Sequence, residues 1–119
     1  MPRGKRRSRI EHRYMLIVTP LNEIVIDRTV IHGTLRPEDL VEAFTDEYER
    51  IGGWAGNIKL FRSHLLLEEG EDREEELYFD LEDLYELLNE LAPEGTSFGA
   101  HEGDGSDFGF WTHEVEVTP

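Results

Sequence analysis

The stretch Phe98-Gly99-Ala100-His101-Glu102-Gly103-Asp104-Gly105-Ser106-Asp107-Phe108-Gly109-Phe110-Trp111 governs how the rest of the chain is read. Aromatic residues and glycines flank a tip of Gly and Asp, the composition of two short strands joined by a tight turn. Residues 96–101 and 107–112 are the expected strands and Asp104-Gly105 the expected turn, with Val115 and Val117 extending the pairing. Side chains alternate along a strand, so Phe98 and Ala100 share one face, as do Phe108 and Phe110, while Gly99, Gly109 and Trp111 look the other way. That second face carries a lane of bare backbone. Glycine inside a strand marks a bulge or a close approach by another group. Either a ring of the same protein (Trp54, Trp111 or a tyrosine) covers the lane, or a partner lies on it.

Upstream of this hairpin, Leu81, Leu84, Leu88 and Leu91 keep one side of a helix apolar until Ala92-Pro93 stops it, and Asp80-Leu81-Glu82-Asp83 resembles a capping box at its start. Leu77-Tyr78-Phe79 reads as an extra turn or a short strand. Residues 68–76 hold seven acids in nine positions, which suits a solvated loop or a frayed helix start. A strand is expected over residues 58–67. A first helix should open at Arg36-Pro37-Glu38-Asp39-Leu40 and run to about Ile51, because Pro and acids suit a first turn and Gly52-Gly53 ends it. Its apolar face is Leu40, Val41, Phe44, Tyr48 and Ile51; Glu38, Glu42, Asp46 and Glu49 fall opposite. Residues 13–19 and 23–31, punctuated by Pro20-Leu21-Asn22, read as an N-terminal hairpin. The expected architecture is α+β: a mainly antiparallel sheet with two amphipathic helices packed on one face.

The 119 residues include 27 Asp and Glu against 12 Lys and Arg, a formal net charge of −15. The bases are unevenly placed, since Arg3, Lys5, Arg6, Arg7, Arg9 and Arg13 hold half of them. From Tyr14 onward 26 acids face 6 bases, a net of −20. Residues 1–12 are therefore expected to form a basic, extended arm, and residues 13–119 a single acidic domain. No cysteine is present, which removes disulfides, thiolate metal sites and Cys nucleophiles. No apolar run approaches the length of a membrane span, and no signal-peptide pattern follows the basic start, so a cytoplasmic protein is expected.

The tail F-G-x-H-x-G-D-G-x-x-F-G-F-W, the leucine-rich helix ending in Ala-Pro and the His32-Gly33-Thr34-Leu35-Arg36-Pro37-Glu38-Asp39-Leu40 helix start resemble a group of small acidic proteins of bacteria, archaea and their phages. The resemblance covers about residues 31–44 and 84–111. It implies a stand-alone domain carried on a mobile element and supplies no activity.

Two function classes remain. In the first, acids one helical turn apart, Glu38, Glu42, Asp46 and Glu49 on one helix and Glu82, Glu86 and Glu90 on the other, present charge at about 5–6 Å intervals. Such a surface suits the basic groove of a nucleic-acid-handling protein, in the manner of a DNA mimic, with Gly99, Gly109 and Trp111 as a second contact. A strongly charged surface also serves solubility alone. Nucleic acid itself would be contacted only through the arm, since the body repels it. In the second class, a small metal-dependent or acid/base enzyme uses His101, Asp104 and Asp107, whose N and O ligands suit a hard or borderline cation. The spacing matches no known metal loop, and no nucleophile motif accompanies it. The non-enzymatic binding protein without a cofactor is the favoured expectation.

Overall fold

The computed structural model describes residues 23–113. Their elements are β1 (Arg28–His32), α1 (Pro37–Arg50), α2 (Ala55–Leu65), α3 (Glu71–Leu91), β2 (Thr96–His101) and β3 (Asp104–Thr112). The strands form one antiparallel sheet in the order β1-β3-β2, so the fold is α+β and the last described strand is the central one. The expected basic arm, the first strand of the N-terminal hairpin (13–19), Val115 and Val117 lie outside the described residues.

The C-terminal hairpin forms where the sequence places it, with Phe98 opposite Phe110, Gly99 opposite Gly109 and Ala100 opposite Phe108. Its turn is displaced: β3 already begins at Asp104, and Glu102-Gly103 make the reversal in place of Asp104-Gly105. Gly103 N donates to His101 Nδ1 at 2.9 Å, and Asp104 Oδ1 accepts from both Ser106 N and Ser106 Oγ, so these polar side chains shape the tip.

Alternation puts Phe98, Phe108 and Phe110 on the buried face, where all three are at most 3% exposed. They meet Phe44 of α1 and Tyr85 of α3. Phe44 stands edge-on to Phe98 at 4.9 Å, to Phe108 at 5.4 Å and to Tyr85 at 5.5 Å, the geometry favoured by the ring quadrupole. Helix α1 begins as expected, with Pro37 in its first turn beside Glu38 and Asp39, and it buries Leu40, Val41, Phe44 and Tyr48. The chain then turns through Gly52, at φ 92. A Cβ on Gly53 would lie 2.4 Å from the Tyr48 ring, which packs there while its hydroxyl accepts from Trp54 N and Asn57 Nδ2.

Three readings are corrected. Residues 58–67 are not a strand: they fall in α2 and the turn after it. Ile58, Phe61 and Leu65 recur at three and four residues, a helical spacing that the dense apolar run Leu65-Leu66-Leu67 conceals. Helix α3 starts at Glu71, not near Asp80, and spans 21 residues, so residues 71–76 of the acid-rich segment are helical while Glu68 and Glu69 stay in the loop before it; Glu71, Asp72 and Glu74 sit where the helix dipole favours them. Asp80 is therefore a mid-helix residue, not a cap. Finally, the second strand of the N-terminal hairpin shrinks to Arg28–His32, because Asp27 adopts φ 55 and turns the chain. Three helices among the described residues thus replace the expected two. Among the described residues α1 and α3 touch the sheet, and α2 touches only α1 and α3.

Candidate partner-binding surface

The acids of the first helix row are largely engaged within the protein. Arg62 of α2 donates from one nitrogen to Asp46 and Glu49, both at 2.9 Å, and Glu38 pairs with Arg36 and, at 3.4 Å, with Arg73 of α3. These acids fasten α1 to its neighbours. Glu42 is exposed on the same helix.

Helix α3 differs. Glu82, Glu86 and Glu90 are all exposed, as are Glu71, Asp72, Glu74 and Glu75 nearer its start. Arg73, the single base of the helix, reaches back to Glu38 and to the Leu65 carbonyl. No Lys or Arg follows Arg73 anywhere in the chain, whereas 12 acids fall between Glu74 and His113. Tyr78, 62% exposed, breaks this ridge with a ring. Successive acids at four-residue spacing rise about 6 Å along the axis, which gives a rigid line of negative charge.

The glycine lane receives an intramolecular explanation. Trp111 Nε1 donates to the Gly99 carbonyl at 2.9 Å, so the indole lies across the strands, and the His101 ring meets it edge-on at 4.8 Å. At Gly109 a Cβ would lie 2.3 Å from the Arg28 carbonyl of β1 and 3.1 Å from the indole, whereas at Gly99 it would meet nothing within 4 Å. The two glycines are unequal. Gly109 is set by strand approach, and Gly99 opens onto free space.

Asp104 and His101 are drawn into structural contacts, whereas Asp107 Oδ1 is buried with no hydrogen-bond partner among the described residues. His32 Nε2 lies 2.8 Å from Asp104 Oδ2 and ties β1 to the tip of β3. His101 points along its own strand face toward Trp111, and Asp107 is the ladder neighbour of His32. Among the described residues no three His, Asp or Glu side chains converge as a metal site would require. His64 is a further pair that spacing alone did not disclose: its Nδ1 lies 2.7 Å from Asp80 Oδ2, and its Nε2 3.6 Å from Glu76. Sixteen residues separate the partners, and only the recognition that α2 and α3 lie side by side would have joined them.

The Ser106 backbone N–H, then the His32 imidazole and the Ser106 hydroxyl, hold the Asp104 carboxyl down to about 2. Thr112, through its N–H and its hydroxyl, lowers Asp27 in the same way. A depressed carboxyl contributes stability above its ordinary value and loses it as pH falls through the folded value. The stability difference between the native protein and Asp104→Asn is accordingly expected to be constant above about pH 5 and to shrink from about pH 4 to pH 2. Urea titrations across that range check it; a gap that persists at pH 2 would count against the pairing.

Comparison with family models, with curated proteins and with solved structures finds no match. No helix among the described residues is long and apolar enough to cross a membrane.

Proposed function

We propose that the protein is a small, non-enzymatic binding protein that engages a basic, nucleic-acid-handling protein through the acidic ridge of α3, acting as its inhibitor or regulator. The supporting observation is the exposed line Glu82, Glu86 and Glu90 on a helix whose one base is engaged elsewhere. A rigid row of carboxylates steers a basic partner by long-range attraction and occupies the groove that would otherwise hold phosphates. The α1 acids take a lesser part, because Arg62 already neutralises Asp46 and Glu49. Trp111 and Gly109 serve the sheet, and of the hairpin candidates only Gly99 presents open backbone.

The protein should retain a basic partner in a pull-down from its host at low salt and release it as salt is raised. Changing Glu82, Glu86 and Glu90 together to Gln should weaken capture at least tenfold while leaving the thermal midpoint within a few degrees. Undiminished capture by the triple variant would remove α3 from the interface, and recovery of no basic protein at low salt would defeat the reading itself.

A further inference from the structure

Helix α2 completes its packing before the chain leaves it. Ile58, Phe61 and His64 are buried and Leu65 packs against the core, yet Leu66 and Leu67 follow at 86% and 43% exposure. Neither belongs to the apolar core or packs on it. Arg73 of α3 brings a third leucine to the same end. Its Nη2 lies 3.4 Å from both the Leu65 carbonyl and the Glu38 carboxylate, so the end of α2 and the start of α1 meet there. Leu35, 66% exposed, comes just before α1. The surroundings are acidic. Glu68, Glu69, Glu71 and Asp72 follow Leu67, all four are exposed, and none of their carboxylates has a hydrogen bond or ion pair among the described residues. The two bases at this end are matched, Arg36 by Glu38 and Asp39, and Arg73 by Glu38. Four carboxylates therefore stand in excess beside the leucines.

We infer that this end of the helices anchors the partner, and that its occupant is a segment with apolar side chains at the centre and Lys or Arg on either side. An apolar centre within a polar, charged rim is the common build of a protein interface, and leucines left in solvent gain free energy once a partner covers them. Charge selects among occupants. A second copy of this chain, at net −15, brings like charge against the four carboxylates, whereas a segment flanked by bases meets them with opposite charge. Leu66 and Leu67 supply the apolar contact that the α3 ridge, a row of carboxylates, cannot. This inference rests on the basic-partner reading and extends that contact from the ridge onto the turn that leads into α3.

A peptide with three leucines between two blocks of three lysines, titrated into the full-length protein and followed by backbone amide NMR, tests it. Shifts should concentrate on Leu35 and residues 66–72, and a peptide with serines in place of the leucines should bind at least fivefold more weakly. Leu66→Ser, at a side chain outside the core, should leave the thermal midpoint within a few degrees and weaken the leucine peptide at least threefold. The Glu82, Glu86, Glu90→Gln triple should leave the shifts at Leu66 and Leu67 in place. Equal binding of the serine peptide, or an unchanged affinity of Leu66→Ser, would overturn the anchor. Movement of the Leu66 and Leu67 signals on raising salt with no peptide present would overturn it too, because a charged segment of the chain itself would then hold the site. Shifts confined to residues 78–90 would remove the anchor and leave the α3 reading standing.

Discussion

Gly109→Ala should destabilise the protein by about 3 kcal/mol, the upper end of what overpacking costs, whereas Gly99→Ala, directly across the ladder, should change stability by less than about 0.5 kcal/mol. The difference arises from β1. The Arg28 carbonyl lies where a Cβ of residue 109 would go, at 2.3 Å, and it is backbone, so relief requires the strand to move. Moving β1 disturbs the pairs Thr29 with Gly109 and Ile31 with Phe108 and the Asp27 bonds to Thr112. At Gly99 the added methyl meets nothing, and the loss of glycine's freedom in the unfolded chain offsets any small cost. For a domain of this size the Gly109 change lowers the thermal midpoint by more than about 10 °C. Equal midpoints for the two variants would show that β1 does not approach Gly109 as described.

His64→Ala should cost about 3 kcal/mol, near the lower end for breaking a buried pair. The Asp80 side chain is 0% exposed and that of His64 11%, and their 2.7 Å contact joins α2 to α3. Taking the imidazole away strips a buried carboxylate of a short hydrogen bond, and the cost of a buried group left short of partners exceeds the mean worth of the bond. A double-mutant cycle with Asp80→Ala should return a coupling of about 1–3 kcal/mol, the double variant losing less than the sum. Additive losses, measured by urea unfolding, would mean that each residue acts only through packing.

Local patterns of period two and period three-to-four were legible wherever one face of an element is buried. The Phe98, Phe108 and Phe110 alternation and the Leu40, Val41, Phe44, Tyr48 and Ile51 stripe both survive in the core. Helix α2 was obscured because, among the described elements, it packs on helices alone and buries a narrower, partly polar face that includes Asn57 and His64. The acidic start of α3 was obscured because charge repulsion argues for a loop, whereas the dipole and the long apolar face behind it argue for a helix and prevail. Of the candidate surface, the α3 acids could be placed from spacing. That Arg62 neutralises Asp46 and Glu49 could not, because it depends on α2 being a helix laid across α1.

The central strand of the sheet is also the last described element, which bears on how the chain folds as it is made. Among the described strands β1 and β2 pair only with β3, and β1 must wait for residues more than 70 positions downstream. No partial chain that stops before Asp104 can form the described pairings of the sheet, and the apolar sides of α1 and α3 then lack the Phe108 and Phe110 rings that pack there. Such long-range closure is slow relative to helix formation. A nascent chain of this protein would therefore expose helices whose inner faces are unburied until β3 leaves the ribosome, and the described residues would gain their native packing in one late step.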